Sequence, residues 1–176
     1  MPITLNGTTG ITFPNSTLQA GAAKVLQVVS ATKTDTFTTT SSSFVDVTGL
    51  SVTITPTSAS NKILVLYSSV LSTIGGQYSC GMRLVRDSTA IYIGDAAGSR
   101  VRASNMYWSD LGMVYDSAPV NGIFLDSPAT TSATTYKLQV FTPYSVNVFI
   151  NRTENDGDNG FICRVPSQIT VMEISG

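Results

Sequence analysis

Histidine is absent from the 176 residues. That removes the commonest general base and the commonest metal ligand, and it excludes Ser-His and Cys-His nucleophile pairs within the chain. Charge is scarce as well, at 12%, about half the usual share. The net charge is −1 and the basic residues are scattered, the nearest pairs being Arg83/Arg86 and Arg100/Arg102, so there is no electrostatic footprint for DNA or RNA. The two cysteines, Cys80 and Cys163, stand far apart and outside any C-x-x-C motif. They read as small apolar fillers, and whether they pair is left open by position alone. The first twenty residues lack a basic start and an apolar run, so no secretory signal is expected. The longest apolar stretch, 63–74, is broken by Ser and Tyr and is too short to cross a bilayer. No segment holds a 3.6-residue apolar period, which excludes a long helix.

What fills the space left by charge is Thr and Ser, in runs such as Thr38-Thr39-Thr40-Ser41-Ser42-Ser43. Thr favours strands because its branched Cβ fits a pleated surface. A hydroxylated surface also lets chains pack side by side without desolvating many ions, which suits an assembly subunit. From Lys24 onward, alternating segments recur: 25–32, 34–40, 44–47, 51–55, 63–74, 78–85, 90–93, 102–108, 120–125, 134–141, 146–150 and 168–174. With neighbouring segments merged, these make roughly nine to eleven strands at spacings of about 8–14 residues, which predicts an all-β antiparallel sandwich or barrel. Residues 1–23 stand apart as an extended arm and linker before a head domain over 24–176. In the arm, Ile3/Leu5 and Ile11/Phe13 form two short alternating pieces around the turn signal Asn6-Gly7. Such pieces are too short to bury a face alone. They gain stability only by packing on something else, which makes Ile3, Leu5, Ile11 and Phe13 the expected docking residues.

Candidate chemistry is thin. Asn155-Asp156-Gly157-Asp158-Asn159-Gly160, preceded by Glu154, is the one acidic cluster. Asp156 and Asp158 make it a weak Ca²⁺ candidate, but the spacing fails the EF-hand frame and the residue types are those of an ordinary turn. No metal and no cofactor are expected. Tyr92, Tyr107 and Tyr144 are candidates for contact with a receptor, because Tyr buries much area at little entropic cost. Trp108 alternates with Met106, a pattern that points to the core or a subunit interface. No pair of carboxylates stands out for glycoside hydrolysis, so a glycan-processing enzyme is disfavoured.

The segment Leu5-Asn6-Gly7-Thr8-Thr9-Gly10-Ile11-Thr12-Phe13-Pro14-Asn15-Ser16-Thr17-Leu18-Gln19-Ala20 resembles attachment segments of bacteriophage tail-fibre proteins of the marine and cyanobacterial phage type. Val25-Leu26-Gln27-Val28-Val29-Ser30-Ala31-Thr32, Val52-Thr53-Ile54-Thr55-Pro56, Asn61-Lys62-Ile63-Leu64-Val65 and Ile169-Thr170-Val171-Met172-Glu173-Ile174 resemble strands of their head domain. The similarity covers both ends and the first third, and is weak between about 75 and 165. The resemblance implies a tumour-necrosis-factor-like jelly-roll head that assembles as a homotrimer. It further implies an arm joining that head to other virion proteins and a head contacting a host-surface glycan or protein. The chain departs from the family in having only about twenty residues where a long shaft is usual. It is expected to be a short fibre on the tail or baseplate, the alternative being a capsid decoration protein on the virion surface.

Overall fold

A computed structural model describes residues 4–6, 10–12 and 23–176. Two short strands, β1 (Thr4–Asn6) and β2 (Gly10–Thr12), pair antiparallel with Leu5 opposite Ile11. Asn6 pairs with Gly10, and the turn signal's Gly7 lies outside the described residues. Ile3 and Phe13 lie outside the described residues, and the reading of 1–23 as a separate arm remains a proposal.

Eleven strands follow: β3 (Val25–Lys33), β4 (Phe37–Thr39), β5 (Val45–Ile54), β6 (Lys62–Thr73), β7 (Ser79–Arg86), β8 (Thr89–Ile91), β9 (Asn105–Trp108), β10 (Ala118–Asp126), β11 (Thr134–Phe141), β12 (Val148–Ile150) and β13 (Ser167–Ile174). No helix occurs among the described residues. The first sheet runs β3-β13-β6-β12-β4, with β10 on the free side of β6; the second runs β5-β11-β7-β8, with β9 continuing beside β7. Every pairing is antiparallel. The long strands alternate between the sheets, so β3, β13, β6 and β10 face β5, β11, β7 and β8–β9. That winding is a jelly roll, and the expected fold class holds.

The core between the sheets follows from the two-residue period. Ile63, Val65, Tyr67 and Leu71 of β6 point inward with Ile169 and Val171 of β13, against Met82 and Leu84 of β7 and Tyr136, Leu138 and Val140 of β11. In β5 the period is interrupted: Val47 and Leu50 are both buried although three residues apart. Gly49 sits at φ +89 beside a register shift opposite Lys137 and Gln139. Two steps along β11, Lys137 to Gln139, are matched by five along β5, Ser51 to Asp46, and the three extra residues let the phase reset as an enlarged bulge does. The sequence read Thr48-Gly49 as a break between two strands; it is a kink inside one. Gly122 has a different reason to be glycine. Its register partner is Tyr67, and a Cβ there would lie 2.2 Å from that ring.

Three buried polar clusters pin the ends of the sandwich. Glu173, fully buried, accepts bonds from Gln27 Nε2 (2.6 Å), Thr57 N (2.6 Å), Thr57 Oγ1 (2.8 Å) and Asn61 Nδ2 (2.5 Å). Asp126 accepts both contacts of Arg86 Nη1 and the Tyr136 hydroxyl at 2.6 Å. Asn151, at φ +67 and fully buried, donates to the carbonyls of Lys33 and Asp35, each at 2.9 Å.

Candidate interaction surfaces

The outward faces of the two sheets differ in chemistry. On the first sheet, Met172 is the register partner of both Val28 and Leu64, and Leu64 that of Leu125. This is an apolar row across four strands. The adjacent row is Ser30, Thr170, Leu66 and Ile123. Val28, Ile123 and Leu125 are exposed at 55%, 67% and 54%. The next row, Thr32, Gln168, Ser68 and Asn121, is polar throughout. In the apolar run Ile63–Leu66, Ile63 and Val65 are buried while Leu64 and Leu66 are half-buried and point outward.

The outer face of the second sheet carries ions and amides over β5, β11 and β7, and apolar Met106 and Trp108 at its β9 edge. Lys137 pairs with Asp46 at 2.8 Å, Gln139 donates to Asp46 at 2.6 Å, and Arg83 donates to Gln139 at 2.9 Å. Arg83 also lies 3.9 Å over the Phe44 ring. Burial raises the Asp46 carboxyl, but the bonds from Lys137 and Gln139 outweigh it and hold the group below its usual range. A face that satisfies its own charges is stable in water, whereas contiguous exposed aliphatics are a mark of contact with another surface.

The two ends of the sandwich differ too. At one, β3 begins and β13 finishes side by side: Ser175 N donates to Lys24 O at 2.9 Å and Lys24 N to Ser175 Oγ at 2.8 Å. We call this the neck. The opposite end, the apex, holds the β6–β7, β9–β10, β11–β12 and β12–β13 loops. It displays Leu111, Met113, Tyr115, Tyr144 and Phe161, exposed between 46% and 77%. Cross-links stiffen it. Gly75 N donates to Glu154, Asn155 N to Val114 O at 2.9 Å, and Tyr115 stands edge-on to Phe161 at 6.0 Å.

The sequence-derived candidates fall in different places. Tyr144 is at the apex, edge-on to Tyr78 at 5.4 Å. Tyr92 is on the lateral edge, 41% exposed, in the left-handed region at φ 53 and packed on Phe124 at 5.3 Å. Tyr107 is not available to a receptor: it is 6% exposed, part of the core, and burial together with Asp116 pushes its hydroxyl well above the usual range. The correction has a simple cause. In β9 it is Tyr107 that turns inward, while Met106 and Trp108 turn out, at 69% and 49% exposure. Asp156 is no open cation site either. Its oxygens accept Arg152 at 3.2 Å and Arg164 at 3.0 and 2.5 Å, and among the described residues no three metal-ligating side chains gather. Cys80 is buried and Cys163 exposed, both as free thiols, with burial pushing Cys80 up to about 12. Leu111, Met113 and Phe161 were missed. Their one signal was apolar residues beside Gly and Asn in stretches without strand alternation.

No family model matches the chain, and no curated protein is similar to it. Among solved structures, a chain from the structure of infectious bursal disease virus Gx strain is similar over 88% of this chain, with 14% identity and a TM-score of 0.43; the match spans 40% of that chain. The jelly-roll assignment rests on the strand order itself.

Proposed function

We propose that the protein is a non-enzymatic virion structural protein, a short homotrimeric bacteriophage fibre held by its N-terminal arm at the neck and presenting its apex to the host surface. The observation that carries this reading is the division of surfaces. One sheet face is apolar across four strands, the other satisfies its own charges over β5, β11 and β7, and the exposed aromatic loops lie at the end away from the neck. Val28, Leu64, Leu66, Ile123, Leu125 and Met172 are the side chains a second copy would cover. At about 1 kcal/mol for each half-exposed aliphatic group, they supply roughly 6 kcal/mol per face, enough to offset the lower estimates of association cost. Adhesion through three heads then relies on avidity in place of one strong site. The absence of histidine, and the engagement of Glu173, Asp126 and Asp156 in structural contacts, fit a protein without turnover.

Sedimentation should give three times the chain mass. Leu66→Glu with Ile123→Glu should give a monomer with an unchanged β-type circular dichroism spectrum. A wild-type monomer at micromolar concentration refutes the self-association. Deleting residues 1–20 should leave a trimer that no longer enters particles, and unchanged incorporation rejects the docking role of Ile3, Leu5, Ile11 and Phe13. The same surfaces would serve a capsid decoration protein. Copy number separates the two: tens per particle for a fibre, hundreds for decoration.

A further inference from the structure

A hollow of about 290 Å³ opens on the outer face of the second sheet, toward the apex, between the segment before β9 and the end of β11. Arg100, Val101, Ala103, Met106, Phe141 and Pro143 are among the residues that line it. The place of Phe141 depends on Gly81. A Cβ there would lie 2.5 Å from Phe141 Cε1, so only glycine lets that ring lie against the backbone of β7. Val101 and Met106 are 56% and 69% exposed. The hollow is near the lower end of ligand-pocket volumes, roughly 300–1,000 Å³, so it suits a single ring and not a helix or a strand.

Charge narrows the occupant. Arg86, Arg152 and Arg164 are in ion pairs. Among the described residues Arg100 and its neighbour Arg102 are in none; they bond only to the backbone carbonyls of Ala97 (3.4 Å) and Gly94 (2.6 Å). A guanidinium fork free of carboxylates, beside an apolar shelf and the Ser79 segment that also lines the hollow, matches a ligand with one flat apolar side and a carboxylate at its edge. We propose that this hollow binds a carboxylated pyranose, a uronic acid unit of a surface polysaccharide. The ring packs on the exposed Met106 and Val101 side chains, above the buried Phe141, and its carboxylate meets Arg100. The inference rests on the reading that subunits cover the first sheet's face, which leaves the second sheet's face to the outside.

The test is an amide and side-chain NMR titration of the full chain with glucuronate and galacturonate, against glucose, galactose, inorganic phosphate and a glutamate-rich peptide. Both the Arg100 Nε–H and Met106 resonances should move with a uronate, and glucose should bind roughly tenfold more weakly or less, for want of a charge-assisted bond. Arg100→Ala should lose roughly tenfold in uronate affinity with an unchanged melting temperature, and Arg100→Lys should recover part of it. Saturation by neutral sugars at the same concentration overturns the proposal. So does no response to either uronate at millimolar levels, or a response to phosphate or the peptide alone. Oligomer mass and particle location are read separately, so a failed titration beside a trimeric, particle-bound protein sinks the ligand and spares the structural role.

Discussion

Replacing Glu173 by Gln removes a charge that the fold was built around. The carboxylate is fully buried and receives four donors, three of them on one oxygen. Burial raises its pKa, but the bonds from Asn61, Gln27 and Thr57 prevail and bring it from 4.5 to about 2. In the variant, the amide oxygen keeps the Thr57 and Asn61 side as neutral bonds. The amide nitrogen then faces Gln27 Nε2, donor against donor. Bonds to a charged group are worth about 1.5–3 kcal/mol each and neutral ones about 1, so the exchange should cost about 3 kcal/mol. For a chain of this size that lowers the melting temperature by about 6–12 °C. The assay is urea unfolding at fixed protein concentration, because self-association would otherwise shift the midpoint. The sign with pH follows from the lowered pKa. The ionised group stabilises the fold fully above its unfolded value near 4.5, and that contribution is lost as pH falls toward 2. The gap between wild type and Glu173→Gln should therefore close across that window and stay constant above it. A cost under about 1 kcal/mol at neutral pH, or a gap that widens in acid, would refute the reasoning.

Gly122→Ala should cost about 1–3 kcal/mol by overpacking against the Tyr67 ring, read as a lower melting temperature, and shrinking Tyr67 to Leu in the same chain should cost less than the sum of the two single changes. In the folded protein one thiol, Cys163, should react with a maleimide while Cys80 reacts only after denaturant is added; two reactive thiols without denaturant would show that the core around Cys80 opens readily.

Strand positions were legible because apolar alternation is a local signal. Thr134–Phe141 was read to the residue, and β13 to within one. Gly49 misled because a bulge and a turn draw on the same residue. Tyr107 was taken for a contact residue because a four-residue strand alternates Met, Tyr and Trp among themselves, and nothing local says which side meets the core. Only pairing with β7, Cys80 opposite Tyr107, decides it. The surfaces were largely illegible. The row Val28–Met172–Leu64–Leu125 draws on residues scattered over the whole chain, and the hollow beside Arg100 exists only once Phe141 is folded across Gly81. The ion pairs of Asp156 were not legible because its partners, Arg152 and Arg164, lie four and eight residues away on a loop whose path no periodicity reveals.

The adjoining of Lys24 and Ser175 has a practical consequence. The block between those two residues enters and leaves the fold side by side, so it can be moved into a loop of another protein as a unit without forcing that loop's ends apart.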